Sequence, residues 1–322
     1  MPARITLFLC TLGLTAVLTG CDDPPRAPIR LGTNAWPGYT PLHLAEEIGA
    51  LDGLNVDLVD LSSTNDLLKG LAVGSLDGGG VTLEELLNAR DLGMELVIVI
   101  VTDVSNGADA ILAQPQFTTL EELRGKRIGC EATALCGLML YRAADSLGLS
   151  PDDFQQVPLS LPQHESAFAA GEVDAVVTFE PVLSALKGKG ANVVFNSAQI
   201  PNEIIDVIAI KREVAEQNPE QVAQLVSAWF RGVNYLEQYP EAALNLIDKR
   251  LHMGPQELEE AFAGLIIPDA EKMNALLANR GKELIPTLSR IEKIMLLDDQ
   301  ISEQAPLENL FQAPNAKSIR NH

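Results

Sequence analysis

The sequence predicts an α/β protein of two doubly wound lobes with a helical C-terminal part. Three observations predict it. From Ile29 to Lys211, short runs rich in Val, Ile and Leu alternate with helical patterns, which is the signature of βαβ units and a mainly parallel sheet. Gly74-Ser-Leu-Asp77, leading into Val81-Thr-Leu-Glu84, is echoed by Gly171-Glu-Val-Asp174, leading into Val177-Thr-Phe-Glu180. After Lys211 the pattern turns mostly helical. The chain of 322 residues also exceeds the roughly 250–300 at which a single core stops growing.

The first segment is not part of the fold. Met1 to Arg4 carries the amino terminus and one Arg, Ile5 to Val17 is apolar or small, and Leu18-Thr-Gly-Cys21 follows. That order reads as a signal peptide over 1–20. Its apolar stretch is shorter than the roughly 20 residues a membrane-spanning helix needs. The Leu-x-Gly-Cys ending resembles the lipobox of bacterial lipoproteins. The resemblance implies cleavage before Cys21, acylation of that residue and a short tether over 21–28. It also implies lipid anchoring at the periplasmic face of an inner membrane, or at the outer face of the cell membrane. Asp22 is similar to an inner-membrane retention signal.

The strands are expected at Ile29 to Thr33, Val56 to Leu61, Leu96 to Val101, Ala110 to Ala113, Arg127 to Cys130, Val157 to Leu159, Ala175 to Phe179, Val193 to Phe195 and Val207 to Ile210. In each half of the echo a helix ends at Gly, and an Asp enters a further short strand. Thr82-x-x-Glu85 and Thr119-x-x-Glu122 match the capping box that opens a helix. Gly148 marks a helix stop. Val222, Leu225, Val226, Trp229, Val233 and Leu236 keep the rhythm of a buried helix face, and Pro240, Pro255 and Pro286 punctuate the helices that follow.

Charge and motif content narrow the function. The chain has 44 Asp and Glu against 23 Lys and Arg, which argues against nucleic acid or an anionic bilayer as partner. There is no Gly-x-Ser-x-Gly, no Gly-Lys-Ser/Thr and no His-Glu-x-x-His, and the four histidines are scattered. No cofactor and no metal site is expected, and an enzyme is not. The weak alternative is a Cys-dependent enzyme using Cys130, with His164 near it. Cys130 and Cys136 are six residues apart across a predicted strand-to-helix turn. Export permits a disulfide, but that geometry disfavours one, so two buried thiols are expected.

Gly32-Thr-Asn-Ala-Trp-Pro-Gly-Tyr39, Leu71-Ala-Val-Gly-Ser-Leu-Asp77, Leu120-Glu-Glu-Leu-Arg-Gly-Lys-Arg-Ile-Gly129 and Ala169-Ala-Gly-Glu-Val-Asp-Ala175 together resemble the periplasmic solute-binding proteins of ABC importers for nitrate, sulfonates, taurine and thiamine-pyrimidine precursors. The likeness runs from about Ile29 to Lys211. It implies the type II periplasmic-binding-protein fold, with lobe 1 over 29–106, lobe 2 over 107–203, and a return to lobe 1 with C-terminal helices over 204–322. It further implies two crossing strands, closure over a small-molecule ligand, and an ABC permease as partner for a monomer. A ligand-sensing lipoprotein that signals to a membrane kinase is the alternative. Ser105-Asn-Gly107 and Ile200 to Ile205 are the expected hinges.

In such sheets ligands bind beyond the carboxyl ends of the strands, at helix N-termini. Those ends carry Asn34, Trp36, Tyr39, Ser63, Thr64, Thr82, Glu131, Thr133, Thr178 and Glu180, and the return strand adds Asp206. Trp36 stands in a Pro-Gly loop where packing needs no Trp, so stacking on a ligand is expected. Over the seven strand ends there is no Lys or Arg, yet seven carboxylates remain. Anion sites usually recruit basic side chains. A neutral or cationic, nitrogen-containing organic ligand is therefore expected, with a cation suited to the ring faces.

Overall fold

The computed structural model describes residues 27–304 and 306–311. The expected signal peptide, Cys21 and most of the tether lie outside the described residues. Two sheets organise the rest. The first contains β1 (Ile29–Thr33), β2 (Val56–Asp60), β3 (Gly78–Thr82), β4 (Leu96–Ser105), β10 (Ile205–Lys211) and β11 (Leu265–Ile266), in the order β11-β4-β10-β3-β1-β2. The second contains β5 (Asp109–Ala113), β6 (Arg127–Cys130), β7 (Gln155–Pro158), β8 (Ala175–Phe179) and β9 (Asn192–Asn196), in the order β7-β6-β8-β5-β9.

Helices α1 (Thr40–Glu47), α2 (Thr64–Ala72) and α3 (Leu83–Asp91) follow β1, β2 and β3, and α4 (Ala134–Ser146), α5 (Leu161–Ala169) and α6 (Val182–Gly188) follow β6, β7 and β8. The C-terminal part is helical: α7 (Arg212–Gln217), α8 (Pro219–Gln238), α9 (Pro240–Leu251), α10 (Pro255–Ala263), α11 (Ala270–Gly281) and α12 (Ile285–Leu297). Val222, Leu225, Val226, Trp229 and Val233 of α8 are buried. Gly232 lets α8 meet α1, since a Cβ there would stand 1.8 Å from the Pro41 carbonyl oxygen.

The sequence echo is a structural repeat. Arg30 opens β1 and binds Asp77 through its backbone N–H (2.9 Å), Nε (3.0 Å) and Nη2 (3.0 Å), while Nη2 also donates to the Gly74 carbonyl. Arg127 opens β6 and makes the same four bonds to Asp174 and Gly171. Strands β2-β1-β3-β10-β4 of one sheet thus correspond to β7-β6-β8-β5-β9 of the other.

The expectation of mainly parallel pairing needs correction. Strands β1, β2 and β3 pair in parallel, as do β6, β7 and β8. The fourth strand of each sheet, β10 or β5, arrives from the other sheet and pairs antiparallel on both sides. The chain passes between the sheets twice, after β4 and before β10, and the two passages lie side by side. The Ser105 N–H donates to the Ile204 carbonyl (3.0 Å), and the Gly107 N–H donates to Ser197 Oγ (2.6 Å).

Three local expectations also differ. Strand β3 opens with Gly78-Gly79-Gly80 and was signalled by the echo alone. The Thr119-x-x-Glu122 box opens only a 3-10 turn over Glu121–Leu123, although Glu122 accepts from the N–H groups of Thr118 and Thr119. Cys130 and Cys136 form a disulfide. Cys136 lies in the first turn of α4, which brings the two Cα atoms to 6.1 Å, within bridging range.

Candidate functional site

The strand ends expected to carry the site converge between the two sheets. The loop after β1 supplies Asn34, Trp36 and Tyr39, held by local bonds. Asn34 Nδ2 donates to Thr64 Oγ1 (3.1 Å), and its Oδ1 accepts from the Trp36 N–H (3.0 Å). Trp36 Nε1 donates to Asp103 Oδ2 (3.2 Å), and Tyr39 donates its phenolic proton to Asp206 Oδ1 (2.6 Å). Two glycines permit this. A Cβ on Gly38 would fall 1.9 Å from Asp103 Oδ2, and one on Gly80 would fall 2.4 Å from the Tyr39 ring. Across the cleft, Phe179 at the end of β8 meets Trp36 edge to face, with ring centroids 5.8 Å apart.

Two small cavities result. One, of about 20 Å³, is lined by Asn34, Trp36, Tyr39, Thr64, Thr82, Glu85, Asp109, Leu135, Phe179 and Asp206. Its neighbour, of about 10 Å³, is bordered by Glu131, Thr133, Thr178, His164, Asp109 and the disulfide. Each is close to the 10–15 Å³ that one water needs. Nine of the eleven expected residues border one of the two.

Ser63 stands behind, capping α2 by accepting from the Asp66 N–H (3.2 Å). Glu180 turns to α6, where it accepts from the Ser184 N–H (3.1 Å) and hydroxyl (2.9 Å). Larger cavities exist elsewhere. One of about 440 Å³ lies between α1 and α9 by His43 and Arg250, and another of about 620 Å³ by Arg142, Glu203 and Arg290. Size alone would favour them. Their acids and bases pair with one another, Arg250 with Asp60 and Arg142 with Glu203, so we place the site where polar groups are left without partners.

Carboxylates dominate the small cavities. Glu85, Asp109, Glu131 and Asp206 border them, and Asp103 and Glu84 lie fully buried behind. Among the described residues none of the six pairs with a Lys or Arg. Glu85 Oε1, Asp103 Oδ1, Asp109 Oδ2 and both oxygens of Glu84 and Glu131 make no close hydrogen bond. Burial drives their proton affinities up. Glu85 rises to about 7 against the bonds it accepts from Thr82. Asp103 also reaches about 7, although Trp36 and Thr102 favour its charge. Asp109 reaches about 7 despite a bond from Ser105. Asp206 is pushed further up by burial and by the charges of Asp103 and Asp109, and the Tyr39 bond only partly offsets this. Burial lowers His164 to about 4, leaving a neutral ring whose Nδ1 shares a proton with Thr178 Oγ1 (3.0 Å).

Such an arrangement can accept hydrogen bonds from N–H donors and pair with positive charge. Asp103 and Asp109 are among the seven carboxylates of the expected strand ends but were not singled out, and Glu85 lies one residue beyond those ends. Glu85 is the Glu of the Thr82 capping box, where its Oε2 accepts from the Thr82 N–H (3.1 Å) while Oε1 makes no close hydrogen bond. Asp103 lies within a long apolar strand. The signal that points to both Asp residues is an acidic side chain in an otherwise apolar crossing strand. Cys130 is bonded to Cys136, so it offers no thiolate for an enzyme mechanism. Among the described residues no group of His, Cys, Asp and Glu is arranged to hold a metal ion, and no helix is long and apolar enough to cross a membrane.

Comparison with known proteins agrees with the architecture. The alkanesulfonate-binding protein of Xanthomonas axonopodis pv. citri superimposes with a TM-score of 0.68 at 24% identity, covering 87% of this chain and 99% of that one. This likeness establishes the periplasmic-binding-protein fold. A protein of Brucella abortus is 26% identical over 156 residues, 47% of this chain and 49% of its own. The taurine-binding periplasmic protein of Escherichia coli is 24% identical over 173 residues, 53% of this chain and 54% of its own. The chain spans about half the length of the curated relatives it matches. The sequence model of the NMT1-like family covers residues 22–248, and the chain belongs to that family.

Proposed function

We propose that the chain is the solute-binding component of an ABC importer, capturing a small nitrogen-containing organic cation between its two lobes and delivering it to a permease. The lobes are read as 29–106 with the return segment from 204, and 107–203. Export with a lipid anchor at Cys21 belongs to the same reading. The relatives support capture and delivery. The ligand's charge rests on one observation: buried carboxylates with unpartnered oxygens around an aromatic-lined cavity, and no basic side chain among the described residues pairing with them.

A cation meets three needs at once. It satisfies the unpartnered oxygens, lowers the raised proton affinities, and lies against Trp36 and Phe179. Ligand bonds to Glu85 and Asp206 on one side and to Asp109 on the other favour the closed arrangement over the open one, and that difference drives closure.

Mass spectrometry of small molecules released from the purified protein identifies the ligand, and calorimetry then measures it. Asp109→Asn removes one partner of a buried charge pair and is expected to weaken binding by about 2–5 kcal/mol. A released anion, bound equally well by Asp109→Asn, would overturn the reading.

A further inference from the structure

We propose that Glu131 is a built-in anion, seated between the N-termini of α2 and α5 where the two lobes would otherwise hold a free oxyanion, and that it sets the cleft against anionic solutes. The inference deepens the reading of the cleft as a cation site and rests on it.

Each of the two helices is nine residues long, and they belong to different sheets. In α2 the Asp66 N–H is taken by Ser63 Oγ and the Leu67 N–H by the Ser63 carbonyl, which leaves those of Thr64 and Asn65. In α5 the Gln163 N–H goes to the Ser160 carbonyl and Pro162 has none, which leaves that of Leu161. Free N–H groups at a helix start carry partial positive charge and favour an anion.

Glu131, 4% exposed and bordering the smaller cavity, lies within electrostatic reach of these three groups. Burial raises its proton affinity, while the N–H groups of Thr64, Leu161 and Asn65 favour its charge. Neither of its oxygens has a close partner among the described residues. The seat is therefore occupied by the protein's own carboxylate, and a second anion entering it meets a like charge. The structural repeat sharpens the point. Counting from Arg30 and Arg127, the residue of lobe 1 that corresponds to Glu131 is the neutral Asn34. Glu131 also follows Cys130, whose bond to Cys136 holds the loop that presents it.

The test is calorimetric titration of sodium sulfate into the mature wild type, Glu131→Ala and Glu131→Gln at constant ionic strength and pH 8. That pH keeps Glu131 charged although burial raises its proton affinity, and the other buried carboxylates are the same in all three proteins. Glu131→Ala is expected to bind sulfate at least tenfold more tightly than the wild type, and Glu131→Gln, which loses the charge but fills the seat, at least threefold. Equal sulfate affinity in wild type and folded Glu131→Ala overturns the inference; if that variant does not fold, equal affinity in Glu131→Gln does so. The cation reading fails on a different observation, an anionic solute retained by the wild type itself.

Discussion

Trp36 joins the two lobes and also tunes a carboxylate. Its ring edge contacts Phe179, and its Nε1–H favours the charged form of Asp103. Trp36→Phe keeps a ring there but loses the donor. Removing a hydrogen bond to a carboxylate raises its pKa. Ligand affinity in Trp36→Phe should therefore fall off at a higher pH than in the wild type, as read by calorimetry across pH 5–8. An unchanged midpoint would place Asp103 outside the ligand's reach. At this scale the sequence was informative where a residue stood out from its neighbourhood. An aromatic in a Pro-Gly loop is conspicuous, and so is a hydroxyl at a strand end. Asp103 is hidden by the apolar strand around it, and Glu85 by the capping role it also performs. Which oxygens are left unpartnered depends on packing between two lobes, and no spacing along the chain encodes that.

Strands and helices were the most legible part. Arg127–Cys130 and Ala175–Phe179 fall where the apolar runs lie. Strand β3 shows the limit, because Gly78, Gly79 and Gly80 have no side chains to form a pattern. Glycine is needed where Tyr39 lies on Gly80. The disulfide was misjudged for a related reason: separation along the chain says little about distance once the second cysteine sits in a helix's first turn. The bridge closes a loop of seven residues, and the chain-entropy relation gives about 2 kcal/mol of stabilisation for such a loop. Cys130→Ala/Cys136→Ala should lose roughly that amount in urea unfolding. A loss well under 1 kcal/mol would mean that packing alone holds the loop between β6 and α4.

The whole molecule carries an electrostatic cost in its cleft. Glu85, Asp103 and Asp109 have folded-state pKa values near 7, above those of an unfolded chain. Between about pH 4 and 7 these three carboxylates hold more protons in the folded state than in the unfolded one, so stability falls as pH rises through that window; His43 and His164, lowered to about 3 and about 4, act the other way but are outnumbered. The ligand-free protein should melt at a higher temperature at pH 5 than at pH 8, whereas affinity for a cation should change in the opposite sense. Calorimetric melting at the two pH values checks the first trend. A protein more stable at pH 8 would mean that these carboxylates are already neutralised. The architecture itself was legible as two βαβ units, an echo and a helical end. The antiparallel crossing strands were not, because pairing direction depends on which lobe a strand comes from.

Between the lobes the enclosed space is about 20 Å³, far smaller than any organic cation. On the proposed function, seating such a ligand, like its entry and exit, needs the lobes to part, with the side-by-side passages near Ser105 and Ile204 as the expected hinges. The residence time of a captured molecule is then governed by how rarely the lobes part, and not by the strength of any single contact. On the proposed function, such a trap would hold its cargo passively, and quick unloading would fall to whatever surface pulls the two halves away from each other.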